Sequence, residues 1–137
     1  MNGNPEERDV MQRVMQAARE ASGMAYAPYS NFHVGAAILT EGGAVHAGCN
    51  VENASYGLGI CAERNAAASM AMAGGSDREI RFVAVSSPNA APCFPCGACR
   101  QVLREFGCKA VVVEEGGDLR SYPFDEILPH SFGPEVL

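Results

Sequence analysis

The stretch that decides the fold runs from Arg81 to Glu114 and reads RFVAVSSPNAAPCFPCGACRQVLREFGCKAVVVE. Its beginning, Arg81 to Ser87, is typical of a strand, and after a proline-rich loop the residues from Cys96 to Phe106 predict a helix. Lys109 to Glu114 predicts another strand, because its unbroken run of apolar residues is typical of a strand buried on both faces. A strand, a helix and a second strand in this order are typical of an α/β protein.

Four further elements are predicted before this unit. A helix from about Pro5 to Ser22 follows Asn4, a residue type that caps helices, and carries an apolar stripe at helical spacing. Phe32 to Thr40 and Ala44 to Asn50 predict two strands of a hairpin, because a glycine-containing turn separates them. A second helix is predicted from about Cys61 to Met72, where two glycines end it.

A fifth strand is predicted after this unit, around Leu119 to Tyr122. The connection that leads to it, Glu115 to Asp118, is too short to hold a crossover helix, so this strand should run antiparallel to the one before it. A last helical turn is predicted from Asp125 to Leu128. The sequence therefore predicts an α/β fold with a mixed sheet.

Length, charge and apolar patterning limit the classes of protein. The 137 residues predict one domain, residues 1–137, and the net charge of −6 argues against nucleic acid or an anionic membrane surface as the partner. The longest stretch without charged residues, Ala21 to Thr40, is interrupted by polar residues and proline, so no membrane span is expected. The first residues lack a secretory signal, and we therefore expect a cytoplasmic protein with reduced thiols.

Three of the six cysteines stand at the starts of predicted helices. Cys96 and Cys99 are three residues apart and so share one side of a helix, while Cys61 begins the other helix. The positive end of a helix dipole favours thiolate over thiol. Three thiolates can hold one Zn²⁺ and leave its fourth position open, which is the arrangement of a catalytic site. Glu63 would then lie beside the metal as a proton shuttle for a water molecule.

Other interpretations of the cysteines remain open at this stage. Cys93 extends the run at a spacing of three, so four of the six cysteines could instead form a structural zinc site. An iron–sulfur cluster would need a fourth ligand near Leu103, and a thioredoxin-like redox site would need a different placement of the CxxC pair. Cys49 and Cys108 are predicted to be small buried hydrophobic residues.

The cysteine motifs match a known metal signature. Zinc deaminases have a His or Cys two residues before a catalytic Glu, followed further along by Pro-Cys-x-x-Cys. Three thiolates would leave the zinc site with a net charge of −1, so a cationic donor is needed nearby. Arg64 and Arg100 are the candidates, and the alternative for each is a solvated surface charge.

Beyond this signature, the sequence resembles the cytidine deaminase family along nearly the whole chain. The matching stretches are YAPYSNFHVGAA at 26–37, GCNVENASYG at 48–57, ICAERNA at 60–66, PCGACRQVL at 95–103, and Leu128-Pro129 followed by Phe132-Gly133-Pro134. The resemblance is to the short, homotetrameric branch. It implies a three-layer α/β/α fold with a five-stranded mixed sheet.

The resemblance also implies roles for individual residues. The implied metal ligands are Cys61, Cys96 and Cys99, with Glu63 as the proton shuttle and Arg64 as a hydrogen-bond donor to the thiolates. The implied nucleoside-binding residues are Asn50, Val51 and Glu52, of which Asn50 and Glu52 contact the ribose hydroxyl. Phe32 is implied to stack on the pyrimidine, and Ala62 to contact it through its backbone amide. Ala54, Tyr56 and Phe132 are implied to reach the active site of a neighbouring subunit. Two departures from the family pattern are Gly59, where Thr is common, and the second Pro-Cys pair at Cys93.

The implied function is hydrolytic deamination of cytidine and deoxycytidine to uridine and deoxyuridine, with release of ammonia, in pyrimidine salvage. The implied cofactor is one Zn²⁺ per subunit. One alternative is a blasticidin S deaminase-like enzyme, which shares the zinc motif, and another is a non-catalytic zinc-binding module. A deaminase of tRNA or DNA would need a basic face, which the net charge of −6 disfavours.

Overall fold

The structure is a computed structural model that describes residues 2–137. Its helices and strands are α1 (Pro5–Ser22), β1 (Gly35–Thr40), β2 (Val45–Cys49), α2 (Ala62–Met72), β3 (Ile80–Ser86), α3 (Gly97–Glu105), β4 (Ala110–Glu115), β5 (Asp118–Pro123) and α4 (Phe124–Ile127), with short 3₁₀ turns at Tyr56–Leu58 and Pro134–Val136. Within the described residues, no helix has both the length and the apolar character needed to cross a membrane.

The five strands form one mixed sheet in the order β2-β1-β3-β4-β5. Only β3 and β4 are parallel, and α3 is the crossover that joins them. The other neighbours are antiparallel, including β4 and β5, whose pairing runs from Ala110 opposite Pro123 to Glu115 opposite Asp118. The prediction of an antiparallel fifth strand is confirmed.

Helices cover both faces of the sheet, so the protein has three layers. Alternate side chains of β3 and β4 point to opposite faces because a strand has a period of two. Val83 and Val111 pack with residues of α2, α3 and α4, while Phe82 and Val112 pack with α1. The three-layer α/β/α fold with a five-stranded mixed sheet is confirmed.

The first helix has the bounds that the sequence predicts. The Asn4 side chain accepts a hydrogen bond of 2.9 Å from the backbone amide of Glu7 and so caps the helix. The buried part of the predicted stripe lies against the sheet and includes Met11, Val14 and Met15. The methionines in this stripe are therefore core residues.

The first strand begins three residues later than predicted, at Gly35 rather than Phe32. Asn31 has a φ of 57°, and the backbone groups of Phe32 and Val34 bond to the Asn50 side chain rather than to a neighbouring strand. A side chain that satisfies these backbone groups removes their place in the ladder. The segment before β1 is consequently a loop.

One edge of the sheet gathers the loops that carry the site. The start of β1, Gly35, is paired with Cys49 at the end of β2 and with Ser86 at the end of β3. The loop before β1, the loop after β2 and the loop after β3 therefore emerge side by side. The loop after β2 leads to α2 and the loop after β3 leads to α3, so the register of three strands brings the starts of both helices together.

Candidate active site

Three cysteine sulfurs lie together at this edge. Cys61 is the N-cap of α2, Cys96 is the N-cap of α3, and Cys99 lies in the first turn of α3. The Sγ atoms of Cys61 and Cys96 are 3.9 Å apart, those of Cys96 and Cys99 are 3.5 Å apart, and all three lie within 4.8 Å of one another. The structure thus brings together residues that are 35 positions apart in the sequence.

The sulfur cluster fits Zn²⁺. Thiolates bound tetrahedrally at the usual Zn–S distance would lie about 3.8 Å from each other, which agrees with the two distances above. Three sulfur ligands leave one tetrahedral position open. Cys61, Cys96 and Cys99 are the one group of at least three potential metal-ligating side chains found within residues 2–137.

A guanidinium group lies beside the cluster. Arg64 Nη2 is 3.5 Å from Cys61 Sγ. The hydrogen bond with Cys99 and the Arg64 guanidinium lower the pKa of Cys61, which favours its thiolate form. Hydrogen bonding to this anion, together with burial, raises the pKa of Cys99. The structure places Arg64, and not Arg100, at the thiolates, because Arg100 donates to two backbone carbonyls instead.

The carboxyl group of Glu63 is buried beside the cluster. The residue is 4% exposed, and this burial, together with the charge of Cys61, raises its pKa to about 7. A buried carboxyl with a pKa near neutrality can both accept and donate a proton at physiological pH. Ala62, between Cys61 and Glu63, is fully buried at the start of α2.

The remaining cysteines differ from the cluster in their surroundings. Cys93 packs against the core, and burial raises its pKa to about 11, so it is a neutral thiol. Cys108 is buried, as predicted, and burial raises its pKa to about 12. Cys49 lies at the end of the edge strand β2 and is only half-buried, so the prediction that it is a core residue is wrong. An edge strand has a neighbour on one side only, which leaves its end partly open to solvent.

A cavity of about 390 Å³ opens next to Cys61. Its lining comes from residues 29–30, 50–53, 56 and 59–61. Asn50, Val51, Glu52 and Tyr56 are therefore brought to one place, together with Cys61. Other implied substrate-binding residues lie outside this lining, and they are Phe32, Ala54, Ala62 and Phe132. Phe32 and Phe132 are 39% and 59% exposed.

Hydrogen bonds hold the cavity's polar side chains in place. Asn50 Oδ1 accepts from the Val34 amide at 2.9 Å, and Asn50 Nδ2 donates to the Phe32 carbonyl at 2.8 Å. Glu52 Oε1 accepts from the amides of Tyr29 and Ser30 at 3.0 and 3.1 Å, and the Ser30 hydroxyl donates to Glu52 Oε2. The bonds from Ser30 lower the pKa of Glu52, so this side chain is a carboxylate.

Sequence reasoning did not identify Tyr29 and Ser30 as part of the site. Both belong to a stretch that matches the family, but their bonds to Glu52 span 23 and 22 residues, respectively. A pattern among neighbouring residues in the sequence does not predict a contact over this distance along the chain. The available signal was the position of Glu52 beyond a strand end, where α/β sheets commonly place their binding groups.

Comparison with known proteins is consistent with this geometry. Residues 8–115 match the family model described as the cytidine and deoxycytidylate deaminase zinc-binding region. A cytidine deaminase of Halalkalibacterium halodurans is 41% identical over 129 residues, which cover 92% of this chain and 96% of that protein. One from Sporosarcina psychrophila is 38% identical over 130 residues, covering 93% and 94%. The crystal structure of cytidine deaminase from Burkholderia pseudomallei superposes with a TM-score of 0.80 at 48% identity, covering 88% of this chain and 98% of that one.

Proposed function

The chain belongs to the cytidine and deoxycytidylate deaminase family, and we propose that it converts cytidine and deoxycytidine into uridine and deoxyuridine with release of ammonia. The observation that carries the proposal is the position of Glu63, which is buried two residues from Cys61 at the start of the helix that meets the three-sulfur cluster. Hydrolytic deamination needs an activated water and a group that moves its protons. The three-sulfur cluster can hold the metal that would activate the water, and Glu63 can move the protons.

Cys61, Cys96 and Cys99 would hold the metal, one Zn²⁺ per subunit. Held by three protein ligands, Zn²⁺ supplies the Lewis acidity that makes water a nucleophile near neutral pH. Arg64 offsets the excess negative charge of three thiolates through its contact with Cys61 Sγ. The Nε atom of Arg64 is buried and has no hydrogen-bond partner among residues 2–137. The contact of the guanidinium with Cys61 Sγ is made through Nη2.

Glu63 moves the protons of the reaction. Its carboxylate takes one proton from the water that attacks C4 of the pyrimidine and delivers it to ring N3. It then takes the second proton of that oxygen and delivers it to the amino group on C4. The C4–N bond breaks, ammonia leaves, and the oxygen from water remains on C4 as the carbonyl of uridine. Burial of Glu63 supports this role, because a desolvated carboxyl holds and releases protons near neutral pH.

The cavity beside Cys61 would bind the nucleoside. Asn50 and Glu52 would contact the ribose, and Val51 would lie between them against the nucleoside. Phe32 would stack on the pyrimidine, and the Ala62 amide would contact the base. Glu52 is ionised, and no lysine or arginine among residues 2–137 lines the cavity. A phosphate group would meet a carboxylate with no cation to offset it. These charges favour a nucleoside over a nucleotide as the substrate.

A homotetramer is the oligomeric state that we propose, with Ala54, Tyr56 and Phe132 of one subunit reaching the site of a neighbour. Support comes from apolar side chains that remain open to solvent next to the cavity, of which Tyr56 is 80% and Leu58 66% exposed. Exposed apolar patches of this kind mark contact surfaces.

We further propose that residues 1–137 form a single deaminase domain that acts in the cytoplasm in pyrimidine salvage, without nucleic-acid or membrane partners.

The proposed chemistry is tested by the loss of cytidine absorbance on incubation with the purified enzyme. Wild type should release ammonia stoichiometrically from cytidine and deoxycytidine, and far more slowly from deoxycytidylate. Glu63→Gln should retain its zinc and its fold but lose at least about 10²–10⁴-fold in turnover, the contribution of one proton shuttle. The matched control is Glu79→Gln, which alters an exposed glutamate and should be fully active. Near wild-type turnover in Glu63→Gln would overturn the mechanism.

The rival functions give different results in the same assay. A blasticidin S deaminase-like enzyme would turn over that nucleoside in preference to cytidine, and the relatives described above do not favour it. A non-catalytic zinc module would show no turnover of either nucleoside, and Glu63→Gln would then be silent.

A further inference from the structure

Arg100 connects two distant parts of the chain through their backbone carbonyls. Its Nε donates a hydrogen bond of 2.7 Å to the carbonyl of Pro95, and its Nη1 donates one of 2.6 Å to the carbonyl of Ile127. Pro95 immediately precedes Cys96, and Ile127 is the last residue of α4. One guanidinium therefore joins the loop that carries a metal-ligating cysteine to the C-terminal part of the fold.

The three cysteines of the cluster are held in different ways. Cys99 is fully buried, so packing holds it in place, and Cys61 is held by Arg64. Cys96 is exposed, and as the N-cap of α3 its side chain makes no capping hydrogen bond. Apart from its contacts with the other two sulfurs, its position depends on the backbone that leads into it. The carbonyl that Arg100 binds belongs to the peptide bond between Pro95 and Cys96.

From this we infer that Arg100 is a positioning residue for Cys96, and that it anchors the metal-binding loop to the buried end of α4. The inference rests on the proposed function, because it assigns Cys96 to the metal. Ile127 is only 6% exposed and belongs to the core, so it is a rigid anchor. Groups that orient metal ligands from outside the coordination sphere commonly change metal affinity by about 10–100-fold when they are removed.

The geometry requires arginine rather than lysine. The guanidinium is planar and has several N–H donors in a fixed fork, so two of them reach two carbonyls at once. The ammonium of a lysine is a point charge on a flexible stem, and it would not hold both carbonyls in one orientation. We therefore expect Arg100→Lys to fail to restore the wild-type site even though it retains the charge.

A second arginine of the same helix provides a matched control. Arg104 lies one turn further along α3 and donates from Nε to the Ser131 hydroxyl at 2.8 Å, and it is also paired with Glu135. It therefore binds the C-terminal segment but not the loop before Cys96. Substitution of Arg104 removes an arginine and loosens the same segment without disturbing the carbonyl of Pro95.

The test compares zinc release from the loaded enzymes. Wild type, Arg100→Lys, Arg100→Ala and Arg104→Ala are mixed with a colorimetric zinc chelator, and the release rate is measured in native buffer. Both Arg100 variants should release zinc about tenfold faster or more, with Arg104→Ala near wild type. The visible absorption of the cobalt-substituted proteins should change in the Arg100 variants alone, because those bands report the ligand geometry. A merely structural arginine would lower the melting temperature and leave both readouts unchanged, which would overturn the inference.

The outcomes also separate this inference from the proposed function. If Cys96→Ser keeps a full complement of zinc, the ligand assignment fails, and both fall. If Cys96→Ser loses zinc but Arg100→Lys releases it at the wild-type rate, only the positioning role falls. If neither Arg100 variant folds, hydrogen exchange of backbone amides in Cys96→Ser provides the test. The exchange rate should increase at residues 124–128 and stay unchanged in α1. An equal change of the exchange rate in both regions would overturn the inference.

Discussion

The side-chain amide of Asn50 donates a hydrogen bond of 2.8 Å to the carbonyl oxygen of Phe32. The same side chain accepts from the Val34 amide, so one asparagine orders the segment that precedes β1. Because Asn50 also lines the cavity, a residue proposed to bind ribose determines where the proposed stacking ring lies. Asn50 therefore has a structural role in addition to its proposed role in binding.

Asn50→Ala should therefore impair both binding and stability. Two hydrogen bonds are lost, so the free energy of unfolding should fall by about 1–2 kcal/mol, and the KM for cytidine should rise by about tenfold or more. Chemical unfolding and steady-state kinetics measure these effects.

The matched control for this variant is Asn89→Ala. Asn89 accepts a 2.8 Å bond from the His33 amide in the same segment but lies outside the cavity lining. It should lower stability and leave KM close to wild type. Equal increases of KM in both variants would contradict a direct role of Asn50.

Acid should release the loop that Glu52 holds. The bonds from Ser30 and Tyr29 lower the pKa of Glu52 below its ordinary value of 4.5. A carboxyl whose pKa is lower in the folded state stabilises the fold above its unfolded-state pKa, and loses that contribution as pH falls through the folded-state value. The Tyr29 and Ser30 amide resonances should therefore titrate only below about pH 4.5.

Glu52→Gln is the control for that titration. The neutral amide still offers one oxygen to the two backbone amides, but it has no charge to lose in this range. The amide chemical shifts of Tyr29 and Ser30 in this variant should not change between about pH 6 and about pH 3, the range in which carboxyl groups titrate. A titration that persists in Glu52→Gln would show that another group is responsible.

Cys93 should be dispensable for metal binding. Its thiol is neutral, since burial raises its pKa to about 11, and it is not part of the sulfur cluster. Cys93→Ser should retain one zinc per chain by elemental analysis, whereas Cys96→Ser should lose most of its zinc. Loss of metal from Cys93→Ser, together with a full complement of zinc in Cys96→Ser, would show that Cys93 rather than Cys96 is the metal ligand.

Gly48 should not tolerate a side chain. A Cβ at this position would lie 2.4 Å from the backbone nitrogen of Ala66 and 2.8 Å from the carbonyl oxygen of Ala62, so α2 would have to move away from β2. Gly48→Ala should lower the free energy of unfolding by about 1–3 kcal/mol, the usual cost of overpacking, and should weaken zinc retention because Cys61 is the N-cap of α2. Thermal unfolding and metal analysis measure both.

Gly57→Ala is the matched substitution for Gly48→Ala. No atom lies within 4 Å of a Cβ built at Gly57. Its melting temperature and its zinc content should equal those of wild type. A similar loss of stability in both variants would show that the close approach of α2 to Gly48 is not the cause.

Elements with strong local patterns were predictable from the sequence. The bounds of α1 agree because Asn4 caps it and its apolar stripe is regular. The alternation of Val111, Val112 and Val113 between the two faces of the sheet agrees with the prediction of a strand buried on both sides. The start of β1 was not predictable, because the groups that end the ladder at Gly35 belong to Asn50, 15 residues away.

For the site, the sequence by itself determined which residue types could act. The cysteines that begin α2 and α3 and the glutamate beside Cys61 follow from local spacing, since helix starts and helix periodicity depend on near neighbours. The tertiary structure alone decided that Cys61 meets Cys96, that Arg64 rather than Arg100 contacts the sulfurs, and that Glu52 binds Ser30. These contacts depend on the pairing of Gly35 with Cys49 and Ser86, which closes long loops at one edge of the sheet. Such closure is set by the packing of the whole chain and leaves no local trace in the sequence.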